Sequence, residues 1–183
     1  MPPPNEDCWR GCWRNRVAEA VGFRIRPASE ADLSALEWGG EYRRFRRLYR
    51  TALDEAKRGE RVMLVAEVLA GVVGQIFIQL GGAFAGQPLS SGYLYAFRVR
   101  PEYRNMGLGT ALVAEAEAVL QLRGFTQVVI AVAKENDRAL RLYERLGYSR
   151  FGEDPGQWSY IDDRGKIQDI VEPAFLLAKP IVS

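Results

Sequence analysis

The stretch FRVRPEYRNMGLGTAL, Phe97 to Leu112, constrains the chain more than any other. A β-like run ends at Pro101, which cannot donate to a strand ladder, and the chain turns through Gly107 and Gly109. From Leu108, the apolar positions Leu112, Ala116, Val119 and Leu120 recur at helical spacing until Gly124 closes the segment. TQVVIAVA follows directly, and its near-continuous apolar character is that of a sheet centre buried on both faces.

The flanks extend this pattern. Phe23 and Ile25 alternate with Arg24 and Arg26 as a half-buried strand, and Ser29 begins a Ser-x-x-Asp cap ahead of Leu33 and Leu36. Tyr42, Phe45, Leu48, Tyr49, Ala52 and Leu53 form a second helical stripe that Gly59 ends. Arg43, Arg44, Arg46, Arg47 and Arg50 take its other face, as a solvated surface or as a patch that steers an acidic partner. RVMLVAEV and VVGQIFIQL read as two strands joined at Leu69-Ala70-Gly71. GGAFAGQPLSSG reads as a long loop before a fourth strand, YLYAFRV. Asn136 opens a helix with Ala139, Leu142, Tyr143 and Leu146 on its face, and Gly147 stops it. Two or three strands finish the chain, around 148–151, around 158–161 and in AFLLAKPI. The order β-α-α-β-β-β-α-β-α-β-β predicts an α/β (α+β) protein, a mixed sheet with helices on its faces. Residues 1–22 read as an N-terminal extension and 23–183 as one domain.

Composition excludes several classes. The chain has 183 residues, 48% apolar, and a net charge of +2, too small to argue for a nucleic-acid partner. No apolar run reaches the roughly 18 residues of a membrane span, and the first residues lack a signal-peptide core, so the default expectation is cytoplasmic. There is no histidine, which removes Ser-His-Asp and Cys-His catalysis and most transition-metal sites. The two cysteines, Cys8 and Cys12, do not complete a zinc site, and no metal is expected.

Backbone N–H groups at a helix start point outward unpaired, and glycines let an anion approach them. Arg104, Gly107 and Gly109 form Arg-x-x-Gly-x-Gly, with the Thr110 hydroxyl alongside. A P-loop needs a lysine after its second glycine, and a dinucleotide turn needs a glycine where Leu112 stands; neither condition is met.

VRPEYRNMGLGTALVAEAE followed by VVIAVAKENDRALRLYERLGY closely resembles the GNAT superfamily, the Gcn5-related N-acetyltransferases. The first segment matches the acetyl-CoA-binding motif with its Val-x-Pro-Glu-Tyr-Arg lead-in. The second matches the next family segment, with Asn136, Ala139 and Leu-Tyr-Glu-x-Leu-Gly-Tyr at 142–148. The resemblance runs from Phe23 to about Lys179 and implies a mostly antiparallel sheet of six to seven strands. It implies that the turn Asn105, Met106, Gly107, Leu108, Gly109 and Thr110, with Arg104, holds the coenzyme A pyrophosphate. It further implies that backbone groups of Phe97, Arg98 and Val99 pair with the pantetheine arm, and that Asn136 touches the cofactor. Tyr143 matches the family's general acid to the coenzyme A sulfur; it also reads as a core tyrosine, sharing a face with Leu142 and Leu146.

The implied reaction transfers an acetyl group from acetyl-CoA to a primary amine of a small molecule or peptide, by direct attack in a ternary complex, with no metal. The alternative is a non-catalytic acyl-CoA-binding module. A lysine-like amine must lose a proton before attack, at a cost of about 4–5 kcal/mol at pH 7. Many relatives carry a glutamate on the fourth strand, where this chain has Tyr95 and Ala96. Glu67, Asp162 and Asp163 are candidate bases and none is assigned; Glu102 reads as structural. Trp38, Tyr42, Tyr95, Trp158 and Tyr160 suggest a partly apolar acceptor site, and a homodimer is the family habit.

Overall fold

The computed structural model describes residues 22–81 and 86–181. The expected N-terminal extension, except Gly22 but including both cysteines, and the middle of the 81–92 loop lie outside the described residues.

Seven strands form one sheet: β1 (Arg24–Pro27), β2 (Arg61–Val68), β3 (Gly71–Leu80), β4 (Ser91–Val99), β5 (Gln127–Ala133), β6 (Ser149–Asp154) and β9 (Ala174–Pro180). Their spatial order is β1-β2-β3-β4-β5-β9-β6, and β7 (Gln157–Ile161) with β8 (Ile167–Val171) makes a separate antiparallel ribbon. Every neighbour in the large sheet is antiparallel except β4 and β5. This is the mixed, mostly antiparallel sheet that the resemblance implies. The expected hairpin at 69–71 joins β2 and β3.

Three α-helices cover the faces: α1 (Arg46–Lys57), α2 (Leu108–Leu122) and α3 (Asp137–Arg145). Strand alternation sorts the core into two layers. Val62, Leu64 and Ala66 of β2 pack with Leu108, Leu112 and Leu120 of α2 and with Tyr143 of α3. Met63 and Val65, one residue out of phase, pack with Phe77 of β3 and with Tyr49 and Leu53 of α1. Leu64, Leu112 and Leu120 are wholly buried, each worth about 2 kcal/mol in removed apolar surface.

Two regions differ from the sequence expectation. The helix expected after Ser29 is broken into 3-10 turns at 30–32, 35–40 and 43–45, and α1 starts only at Arg46. Trp38 (φ 49°) and Gly39 (φ 69°) take left-handed backbone there, which no α-helix propagates through. The C-terminal part holds one strand more than expected, because Ile167–Val171 folds back on Gln157–Ile161 as β8. Its sequence, IQDIV, does not alternate apolar with polar residues, so it carries no half-buried strand signal.

The 3-10 segment is pinned to the sheet by ions. Arg26 of β1 makes a bidentate bond to Asp32 (2.7 and 2.8 Å), and Asp32 also accepts from the Ser29 N–H and Oγ–H at 2.7 and 2.9 Å. The Arg26 hydrogen bonds hold the Asp32 carboxyl down to about 2, against 3.8 unfolded. A depressed carboxylate stabilises above its unfolded value and loses that contribution as pH falls through the folded one. Asp32→Asn should therefore lower unfolding free energy by about 2 kcal/mol at pH 7. Urea denaturation should show the difference from wild type shrinking between pH 4 and 2.

Candidate functional site

The parallel pairing of β4 with β5 covers only Ser91–Leu94 against Gln127–Ile130. Beyond Leu94 the two strands part, and among the described residues the β5-facing backbone of β4 has no strand partner. On the other side, Gln75 of β3 pairs Arg98 and Phe77 pairs Tyr95, so Ala96 and Phe97 together oppose Ile76. This β-bulge puts Ala96 at φ 50°, a left-handed conformation costly for an L-residue. Gln75, fully buried, donates from Nε2 to the Ala96 carbonyl at 3.2 Å and secures the bulge. Sequence reasoning missed Gln75, since nothing distinguishes one glutamine in an apolar strand.

A cleft of about 1080 Å³ opens over this gap and the glycine turn. Phe97, Arg98 and Val99 line it from β4, Arg104, Asn105, Gly107, Gly109 and Thr110 from the turn, and Asn136 from the start of α3. Those nine predicted residues come together. Met106 does not line the cleft, and Leu108 is wholly buried in the core, so a part for either in the turn rests on its backbone. Gly107 caps α2 at φ 81°, where a side chain would be strained. The first helical bond runs from the Ala111 N–H to the Gly107 carbonyl (3.0 Å), leaving the N–H groups of Leu108, Gly109 and Thr110 without intrahelical acceptors. Arg104 donates from Nε to the Val99 carbonyl at 2.9 Å, tying turn to strand. The Asn136 side chain caps α3, accepting the Ala139 N–H at 3.1 Å.

The helix α3 also supplies Arg138, Arg141 and Arg145, a stripe at i, i+3 and i+7 that sequence reasoning did not single out. Arg138 donates to Asn105 Oδ1 at 2.9 Å and bridges to the turn. Anion-accepting amides and a row of guanidinium groups on one cleft suit a ligand with several phosphates.

Tyr143 lies beneath the cleft, not in its lining. It is 1% exposed, with its ring 6.0 Å from that of Phe97 and 5.3 Å from that of Tyr148. Its hydroxyl is buried with no hydrogen-bond partner among the described residues. Burial pushes the phenol well above its ordinary value, so it stays a donor at any physiological pH. An orphaned buried hydroxyl is costly unless a ligand completes it.

A second cleft of about 720 Å³ lies across β4, between α1 and the β7–β8 ribbon. Tyr95, Trp158 and Tyr160 line it as expected, with Phe45, Tyr49, Phe77 and Tyr93. Trp38 and Tyr42, expected there, line the first cleft instead, because the break at Trp38 and Gly39 carries them to that side. The two linings share Arg98 and Glu172. Arg98 is held by the Tyr49 hydroxyl (2.7 Å) and lies 4.0 Å above the Tyr42 ring.

The three candidate bases line neither cleft. Glu67 is bonded to Arg24 and Arg26 on the outer strands, Asp163 pairs with Arg43, and Asp162 accepts from the Arg164 and Lys166 N–H groups and Gln168 Nε2. Tyr95 accepts from Arg61 at 2.7 Å, and burial pushes its phenol up. Among the described residues no group of histidine, cysteine, aspartate and glutamate is placed to hold a metal, and no helix is long and apolar enough to cross a membrane.

A sheet parted beside a bulge, with free helix-start amides at the gap, has the chemistry to suit a phosphorylated, chain-like ligand. Residues 31–148 match the model of the Acetyltransferase (GNAT) family, and the chain belongs to that family, whose members transfer an acyl group from acetyl-CoA to an amine. Solved structures share the fold. The ribosomal-protein-S18-alanine N-acetyltransferase from Escherichia coli is 20% identical, with 88% of this chain and 95% of that one covered at a TM-score of 0.65. Ard1 from Thermoplasma volcanium is 18% identical, over 89% and 100%, at 0.69. The PaiA N-acetyltransferase from Thermoplasma acidophilum, solved in complex with coenzyme A, is 18% identical, over 87% and 99%, at 0.62.

Gln75→Leu leaves the Ala96 carbonyl unpaired and frees the bulge. In steady-state acetyl transfer, kcat should drop about tenfold while KM for acetyl-CoA moves less than about threefold.

Proposed function

We propose that the protein transfers the acetyl group of acetyl-CoA to a primary amine of a small molecule or peptide, by direct attack while both reactants are bound. The observation that carries this reading is the meeting of the two clefts at the gap between β4 and β5. In it, the pyrophosphate of acetyl-CoA rests on the amides of 105–110 with Arg104. The pantetheine arm pairs with the free backbone of Phe97 to Val99, and the thioester lies at the bulge. A backbone N–H there stabilises the developing oxyanion. The acceptor enters from the aromatic cleft, where Phe45, Trp158 and Tyr160 rings lie 4.9 to 6.5 Å apart and favour an amine on a partly apolar body. Holding both reactants in one geometry supplies much of the acceleration. Tyr143 protonates the departing sulfur.

The test is release of coenzyme A thiol from acetyl-CoA with 2-phenylethylamine, spermidine and an alanine-ended peptide as acceptors. Turnover with a product 42 Da heavier, the mass of an added acetyl group, supports the reading. Tight acetyl-CoA binding without turnover on any of them sinks it and leaves the acyl-CoA-binding module. Tyr143→Phe should reduce kcat about tenfold or more at pH 7 and change KM for acetyl-CoA less than threefold, since the hydroxyl is needed as sulfur leaves.

A further inference from the structure

Two residues belong to both clefts, Arg98 and Glu172, and on the reading above the transferred acetyl group crosses between them. A guanidinium is a permanent cation and cannot take a proton. We propose that Glu172 is the catalytic base that takes the proton of the acceptor amine, in the role that Tyr95 and Ala96 cannot fill.

The backbone around Glu172 is held in place. It sits between β8 and β9, and its N–H donates to the Gly156 carbonyl at 3.0 Å. A Cβ on Gly156 would lie 1.8 Å from the Glu172 carbonyl oxygen, so the two chains touch in a way only glycine permits. Pro173 restricts the backbone of the residue before it, and its carbonyl accepts the Lys134 N–H at 2.9 Å, fastening the segment to the end of β5. The Glu172 residue itself is exposed, leaving room for an ammonium group or one bridging water.

The other carboxylates facing the acceptor cleft are engaged elsewhere. Glu55 is paired with Arg61. Asp154 accepts the Gly156 N–H at 2.6 Å and borders only the acceptor side. Tyr93 and Tyr95 are half-buried phenols whose protons are held more tightly than usual, desolvation being the main cause. The charged groups that share a cleft lining with Glu172 are Arg98 in both, Arg44, Glu55, Arg61 and Asp154 on the acceptor side, and Arg104, Arg138, Arg141 and Arg145 on the other.

The step balances. The ammonium gives one proton to the Glu172 carboxylate, directly or across a water, and the freed lone pair forms the C–N bond at the thioester carbon. When the tetrahedral adduct collapses, the C–S bond breaks and sulfur takes the Tyr143 proton. The nitrogen's second surplus proton restores Tyr143 through solvent, and Glu172 returns its own to water. The sum is ammonium plus acetyl-CoA giving amide, coenzyme A thiol and one proton.

The decisive experiment compares wild type, Glu172→Gln and Glu172→Asp with whichever of 2-phenylethylamine, spermidine and the alanine-ended peptide turns over fastest. Wild-type kcat/KM should be level across neutral pH, because the enzyme takes the proton from bound ammonium. Glu172→Gln should be at least about 30-fold slower at pH 7 and recover roughly tenfold per pH unit as the free amine becomes available. Its coenzyme A dissociation constant, by calorimetry, should stay within twofold, which also reports a folded protein. Glu172→Asp should be slower than wild type but keep the level profile. A Gln variant within threefold of wild type with an unchanged profile overturns the proposal, as does a loss that follows weakened coenzyme A binding. A wild-type protein inactive on every amine overturns the acetyltransferase reading instead, so the two failures are distinct.

Discussion

The parting of β4 from β5 after Leu94 is the feature on which the rest of the site depends. A sheet interior normally satisfies every backbone N–H and carbonyl, and leaving a stretch of β4 without a partner is costly unless solvent or a ligand supplies one. The gap persists because both neighbours are secured independently. The bulge at Ala96 and Phe97 is tied to β3 through Gln75, and β5 is paired along its whole length with β9. The two-layer core, with α1 on one face and α2 with α3 on the other, clamps the sheet on both sides of the opening.

Placing the glycine turn at the same end of β4 joins two separate chemistries. The amides at the start of α2 and the arginine stripe of α3 suit phosphates, whereas the gap suits a chain carrying amide groups. The Arg104 bond to Val99 and the Arg138 bond to Asn105 fix the spacing between these parts. Ligand affinity therefore draws on backbone and guanidinium groups spread over three elements, with little demand on the identity of Met106 or Leu108.

Proton traffic divides along the same boundary. Beneath the turn-side cleft, Tyr143 is so deeply buried that its phenol holds its proton more tightly than usual. In the aromatic cleft, half-buried phenols and a carboxylate paired with Arg61 leave little capacity to accept one. The junction of the clefts carries one guanidinium, one carboxylate and open solvent.

The turn at 104–110, the capped helix from Asn136 and the apolar run of β5 were legible in the sequence because each is a local pattern. Glycines at a helix start, a capping asparagine and a strand buried on both faces announce themselves within a few residues. Arg98 and Glu172 are far apart in sequence and come to line the same two clefts only through the tertiary fold, in which β9 returns beside β5. Trp38 and Tyr42 line a different cleft from Tyr95, Trp158 and Tyr160, and the left-handed break at Trp38 and Gly39 leaves little mark on helical periodicity. By itself the sequence determined the family, the order of most elements and the glycine turn at the start of α2, all governed by short-range backbone chemistry. Where the sheet opens, which carboxylates are already engaged and which one faces both clefts were decided by tertiary structure, because pairing and burial depend on neighbours that chain order does not reveal.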